Sequence, residues 1–140
     1  MLIEEIYELM RKNELMNFAT IEDNQPRVRI MALIPFNNDW FATTKTPRPK
    51  VSQIQKNEHF EFSFLLKQGE NLGSLRARGK ALITEDLEIK KKLSEEITWF
   101  DAYWTSYEDP MFCLIQLDIE KIIVQSPFDK KFYSYNLKNP

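Results

Sequence analysis

The chain is nearly devoid of the side chains most often used for acid–base and metal chemistry, with one histidine, His59, and one cysteine, Cys113. An internal disulfide and a zinc cluster of His and Cys ligands are thereby excluded, and little room is left for a Ser-His-Asp or Cys-His arrangement. No GxGxxG, no Gly-rich phosphate loop and no G-x-S-x-G occurs, and 3 glycines in 140 residues do not make a linker-rich chain. Nor is one charge in excess: 19 basic residues against 21 acidic ones give a formal charge of −2, so no global basic field argues for nucleic acid. The longest uncharged apolar stretch, residues 30–36 (IMALIPF), is far shorter than a membrane span, and Glu4, Glu5 and Glu8 stand where an export signal would be basic. These absences predict a soluble, cytoplasmic protein without a metal, bound to neither nucleic acid nor membrane.

What is present is an apolar content of 43%, enough for one core, read as a single domain over residues 1–140 with residues 127–140 as a C-terminal tail. Residues 1–13 place Leu2, Ile3, Ile6, Leu9 and Met10 on one helical stripe, acids early and Arg11-Lys12 late, as the helix dipole favours. A strand over residues 16–21 and a turn at Glu22-Asp23-Asn24 follow. Next comes a hairpin: a strand over residues 27–36, turn-formers at Asn37-Asn38-Asp39, and a second strand over residues 40–45. Pro47 starts a short helix. Residues 59–66 then alternate Phe60, Phe62 and Phe64 against Glu61, Ser63 and Leu65, so the three rings are expected to point inward. In the strand over residues 74–84, Gly79 marks a bulge or a close backbone approach.

Glu85-Asp86 begins a charged helix in which Lys90-Lys91-Lys92 reads as the solvated face. The aromatic run of Trp99, Phe100, Tyr103, Trp104 and Tyr107 is core, a subunit interface or a contact for a flat ligand. Residues 111–125 form a closing strand broken near Glu120, with Cys113 buried and reduced within it, and the tail docks on a neighbour. His59 reads as the start of a strand, not as a catalytic group. Many hairpins and few helices favour a mainly β, α+β fold, an antiparallel barrel with peripheral helices.

One local cluster stands out. Alternation along residues 27–32 sends Arg27, Arg29 and Met31 to one face and Val28, Ile30 and Ala32 to the other, which predicts a cationic face backed by core. The neighbouring strand ends in Thr43-Thr44, and Lys50 lies at the start of the following helix, so hydroxyls, orphan N–H groups and an ammonium converge on that face as a cradle for a phosphorylated ligand. The alternative is that Arg29 and Lys50 are ordinary surface charges.

The order and spacing of QPRVRIMALIPFNNDWFATTKTPRPKVSQIQKNEHFEFSF, LRARGKALITEDLE and YWTSYEDPMFCLIQL resemble the pyridoxamine 5′-phosphate oxidase-like family of FMN-binding split β-barrels, in particular its short general-stress-protein-type members. The resemblance covers roughly residues 3–125 and implies a homodimer with FMN at the subunit interface. By that likeness Arg29, with Arg27 nearby, holds the flavin, the Ile30-Met31 backbone runs beside its ring, Thr43, Thr44 and Lys50 reach its phosphate, and Trp104 covers the ring from the other subunit. Ile34 and Ser74 stand where the oxidase has a Lys and a Gln, and the oxidase's Arg and His near the C-terminus have no counterpart in residues 125–140. The likeness therefore carries over FMN binding rather than oxidation of pyridoxine phosphate.

On this reading the protein is an FMN-dependent oxidoreductase passing electrons between a nicotinamide or similar donor and a small acceptor. Two other readings stay open: a non-catalytic module of the same fold that binds flavin, deazaflavin or haem, and an interaction domain built on the aromatic run.

Overall fold

The structure, a computed structural model, describes residues 1–12, 15–44 and 57–138. Helix α1 (Ile3–Lys12) precedes four strands, β1 (Leu15–Glu22), β2 (Gln25–Ala32), β3 (Ile34–Phe36) and β4 (Asp39–Thr44). Then come β5 (His59–Gln68), β6 (Asn71–Thr84), helix α2 (Leu87–Glu96), a 3-10 turn at Phe100–Ala102, β7 (Cys113–Gln125) and β8 (Phe132–Asn136). One antiparallel sheet runs β2-β1-β5-β6-β7-β4-β3, with β8 on β7. It curls on itself as a split β-barrel flanked by the two helices. No helix among the described residues is long and apolar enough to cross a membrane.

The barrel interior is filled from strands whose side chains alternate. Phe60, Phe62 and Phe64 of β5 are buried and stack in a ladder with centroids 6.0 and 6.3 Å apart, and Phe18 of β1 joins it 5.6 Å from Phe60. Each such ring removed from water contributes about 1.5–3 kcal/mol. Helix α1 closes one side with Ile6 and Met10, one turn apart, both fully buried, while Tyr7 packs 6.0 Å from Trp40. Leu2 falls off the expected stripe and is exposed.

Strand β4 has three consecutive buried residues, Trp40, Phe41 and Ala42, as does the Cys113-Leu114-Ile115 start of its partner β7. A strand buried on both faces needs cover on both. Trp40 and Ala42 face the barrel, whereas Phe41 faces a second core made with Leu93 and Ile97 of the α2 region, Phe100, Trp104, Phe112 and Leu114. Helix α2 is started by Asp86, whose carboxylate accepts from the N–H groups of Glu88 and Ile89. In the lysine run, Lys91 and Lys92 are exposed, but Lys90 lies 5.3 Å from the Phe112 ring centroid. Cys113 is buried, and burial pushes its thiol pKa up against the opposing pull of Lys90.

The expected hairpin is corrected. Residues 27–36 are not one strand: β2 pairs along its whole length with β1, and only Ile34–Phe36 pairs with β4. Both turns have the positive φ pairs of two-residue hairpins, 49° and 63° at Asp23-Asn24 and 50° and 63° at Asn37-Asn38. The chain breaks between them at Leu33, just before Pro35, which cannot donate to a ladder and suits the short edge strand β3. The face assignment also reverses. Met31 is buried with Met16 and Phe18, whereas Val28 and Ile30 are 68% and 70% exposed, so the apolar face points outward and the Arg face inward. Inward placement is tolerated because the Arg29 stem lies opposite Phe18 while its head reaches the Thr20 hydroxyl. The tail is a correction as well: β8 pairs with the second half of β7 of its own chain, and the Tyr135 hydroxyl donates to the Met1 carbonyl. The helix expected from Pro47 lies outside the described residues.

Gly79 sits at the one register shift between β6 and β7, where Arg78 faces Lys121, Gly79 faces Ile119 and Glu120 is the extra residue. The N–H of Leu137 satisfies the Glu120 carbonyl. A Cβ on Gly79 would lie 1.9 Å from the Asp118 carbonyl oxygen, whereas one on Gly69, at φ +62°, would meet nothing within 4 Å. Gly79→Ala should therefore lower unfolding free energy in urea by about 3 kcal/mol or more, since backbone must move. Gly69→Ala should cost only the left-handed penalty of about 1–2 kcal/mol. Equal losses at the two positions would contradict the close approach at the bulge.

Candidate functional site

The end of β2, the end of β4 and the aromatic segment that covers Phe41 converge on one cleft of about 740 Å³. Ile30 and Met31 form its β2 wall, Thr43 and Thr44 its β4 wall, and Trp99, Tyr103 and Trp104 the facing wall. The geometry follows from the second core: the short turn after α2 must bury Phe100 and Trp104 on Phe112, and this swings the aromatic segment across from the strand ends. Trp104 is fixed on both sides, its indole N–H donating to the Met111 carbonyl at 3.0 Å and its ring packed 5.2 and 4.8 Å from Phe100 and Phe112. Trp99 and Tyr103 stand edge to face, centroids 5.8 Å apart, and are 37% and 52% exposed, so they present ring surface at the mouth.

Of the residues singled out from sequence, the structure thus gathers Ile30, Met31, Thr43, Thr44 and Trp104. Arg27 and Arg29 are not among the residues lining the cleft. Arg27 is ion-paired through Nε with Glu22 at 3.2 Å and lies four residues back along β2 from Met31, roughly 13 Å of strand. Arg29 donates from Nη1 to Thr20 Oγ1 at 3.0 Å. Burial pulls its guanidinium pKa below the ordinary arginine value, with Glu22 opposing and Arg27 adding to the shift. Lys50 lies outside the described residues.

Sequence reasoning missed Arg11 and Glu96, which also line the cleft. Both sit at helix C-termini, where charge reads as solvation, and only the packing of α1 and α2 around β4 brings them to the same place. Trp99 and Tyr103 had a signal, the spacing of aromatics after α2. A second cleft of about 650 Å³ opens where β1 diverges from β5 below Ala19, lined among others by His59, Arg78, Glu120 and Lys121. His59 is exposed there at the first position of β5. No group of three or more potential metal-binding side chains occurs among the described residues.

The sequence model described as pyridoxamine 5′-phosphate oxidase matches residues 2–126. No curated protein matches the chain. Among solved structures, a NimC/NimA family protein from Clostridium acetobutylicum superposes with a TM-score of 0.80 at 18% identity, over 96% of this chain and 91% of that one. General Stress Protein 26 from Bacillus anthracis str. Sterne gives 0.74 at 20% identity, over 94% and 97%. An FAD-binding protein from Mesorhizobium loti gives 0.68 at 19% identity, over 89% and 92%. At such identities the likeness establishes the fold.

The wall carrying Trp104 is held by Asp109. Its carboxylate accepts from the Met111 N–H at 2.9 Å and from the Thr105 N–H at 3.3 Å, and these bonds hold its pKa below the usual carboxylate range. A carboxyl depressed by folding stabilises above its unfolded pKa of about 3.9 and loses that contribution as pH falls through the lower folded value. Near-ultraviolet dichroism of the tryptophans should stay constant from neutral pH to about 4 and change below it. Asp109→Ala should show the altered signal already at pH 7. An unaltered signal in that variant would mean that the loop holds Trp104 without the carboxylate.

Proposed function

The chain belongs to the pyridoxamine 5′-phosphate oxidase family, and from that premise we propose that it is a flavoprotein that binds FMN in the cleft between the ends of β2 and β4 and the Trp99–Trp104 segment. The observation that carries this reading is the meeting of a strand backbone at Ile30-Met31, two hydroxyls at Thr43 and Thr44, and the Trp104 wall around one space. About 740 Å³ is within the usual size range of ligand pockets, roughly 300–1,000 Å³. The residues fit the group: an apolar and aromatic slot suits a flat ring, and hydroxyls at a strand end suit a phosphate. Lys50 supplies the phosphate's counter-charge, and Arg29 with Arg27 adds positive potential from β2.

When bound, the flavin supplies the redox chemistry, and the protein acts as an oxidoreductase between a nicotinamide or similar donor and a small acceptor. The chain's own part is to bind and orient the ring, exclude water with Trp104 and neutralise the phosphate. A haem module of the same fold stays a second reading, with Met31 and Tyr103 in this cleft and His59 in the other as side chains able to ligate iron. A flavin or deazaflavin module without turnover keeps the same site.

The outward face of β2 supports a homodimer, with the flavin near the interface. Val28 and Ile30 present contiguous apolar surface beside the half-buried Ala32, and a second copy of the chain is the natural cover. Cytoplasmic location accords with this cofactor use.

Purified protein should quench added FMN with micromolar affinity or better. Lys50→Ala should weaken that affinity about tenfold or more, a charged contact being worth about 1.5–3 kcal/mol, whereas Arg29→Ala, which removes a side chain outside the cleft, should weaken it less. Unchanged affinity in the Lys50 variant would place the phosphate elsewhere, and a protein that ignores FMN would remove the reading. Val28→Asp should convert the dimer to a folded monomer in size-exclusion chromatography with light scattering; a dimer retained in that variant would put the interface on another face.

A further inference from the structure

Two walls of the larger cleft carry different chemistry. The strand-end wall offers the Thr43 and Thr44 hydroxyls, whereas the facing wall runs from Glu96 through Ile97 and Thr98 to Trp99, with Tyr103 and Trp104 beyond. No Lys, Arg or His occurs between Lys92 and Lys121, while Glu95, Glu96 and Asp101 belong to the same stretch of chain. Three rings stand together on this wall. Trp99 and Tyr103 lie 6.1 and 5.6 Å from Trp104, and Trp99 stands at 89° to Tyr103. Trp104 is buried, so Trp99 and Tyr103 supply the ring surface that a second ligand would meet.

Glu96 is the anion of this wall. It is exposed, closes α2, and makes no ion pair among the described residues. The final turn of α2 has no basic residue, so the helix's terminal carbonyls add to the negative potential of the carboxylate. Of the described cations nearby, neither cancels it. Arg11 lines the same cleft and a smaller space of about 490 Å³ at the Asn37-Asn38 turn, but its guanidinium lies 5.9 Å from the Trp40 centroid and is ion-paired with Glu8 at 2.8 Å. Lys90 sits on the Phe112 ring and is not among the residues lining the cleft. An uncompensated carboxylate three residues from an exposed indole suits an organic cation. The ring quadrupole and the carboxylate both attract positive charge, and a flat apolar frame is removed from water against the rings.

We propose that the outer part of the cleft binds a flat organic cation, its frame against Trp99 and its charge toward Glu96. The inference deepens the flavin reading and rests on it only for the identity of the ligand beneath, whose phosphate is assigned to the strand-end wall. The cleft then separates charge across its width, with the anionic end of one ligand at β4 and the cationic end of the other at the close of α2.

Calorimetric titration with three probes of similar shape tests this: N-methylquinolinium as the cation, quinoline as the neutral frame and quinoline-4-carboxylate as the anion, each at neutral pH with and without saturating FMN. N-methylquinolinium should bind at least about fivefold more tightly than quinoline, as an exposed cation–π contact and an exposed ion pair together allow, and the anion should bind more weakly than either. The preference should persist with FMN present and shrink as salt is raised, because Glu96 is exposed. Glu96→Gln should abolish most of it and leave quinoline binding unmoved, whereas Glu95→Gln, which removes the same charge from a residue outside the cleft lining, should keep it. The proposal is overturned by equal affinity for cation and neutral probe, by no binding of the cation, or by its displacement when FMN is added. A preference that survives Glu96→Gln, or is lost equally in Glu95→Gln, overturns it as well. Because flavin binding is scored separately by quenching, a protein that ignores FMN yet prefers the cation sinks the flavin reading alone, and one that binds FMN without that preference sinks the cation site alone.

Discussion

The burial of β4 on both of its faces is the constraint from which the site follows. Trp40 and Ala42 complete the barrel interior, which leaves Phe41 needing a cover that the sheet itself cannot supply. Helix α2 and the aromatic turn behind it provide that cover. In packing Phe100 and Trp104 against Phe112, they bring the exposed rings of Trp99 and Tyr103 opposite the ends of β2 and β4. The cleft is thus a by-product of satisfying one apolar strand, with rigid walls on three sides. The indole bond of Trp104 to Met111 and the Asp109 bonds to the same loop keep the third wall from collapsing inward.

Electrostatics in this protein is local. The near balance of charge rules out a broad attracting field, so a ligand anion must be met by individual groups. Three of the described arginines divide between two tasks. Arg27 and Arg29 are committed to Glu22 and Thr20 around the first hairpin, where they help order the strand that forms one wall. Arg11, by contrast, lines two adjoining spaces and keeps donor capacity beyond its bond to Glu8. The same helix-end logic that makes Arg11 and Glu96 unremarkable in sequence makes them neighbours in space, since α1 and α2 both end beside β4.

Much of the fold was legible because its signals are local. The Phe60-Phe62-Phe64 alternation, the Ile6–Met10 stripe of α1 and the bulge at Gly79 each depend on residues close in sequence, and each is found, whereas the expected break near Glu120 is that same bulge within one unbroken strand. What failed depended on partners far away. The inward and outward faces of β2 are chemically ambiguous, Arg-Arg-Met against Val-Ile-Ala, and hydrophobicity alone points the wrong way. The choice is made by Met16 and Phe18 across the strand pair, and by the Thr20 hydroxyl that receives the Arg29 head. Likewise two equally good turns flank residues 25–36, and nothing in either reveals that β2 goes to β1 while only Ile34–Phe36 goes to β4. Of the candidate site, the strand-end residues and Trp104 were readable, and the helix-end residues were not.

Hydrogen exchange of the backbone with and without FMN tests the central assignment most directly, because the two main clefts lie at opposite ends of β1 and β2, and otherwise on different strands, and report separately. FMN is expected to slow exchange at Ile30-Met31, at Thr43-Thr44 and in the segment around Trp104, leaving His59, Glu61 and Lys121 unchanged. Protection appearing instead around His59 and Lys121, with the β2 and β4 ends unaffected, would contradict the account.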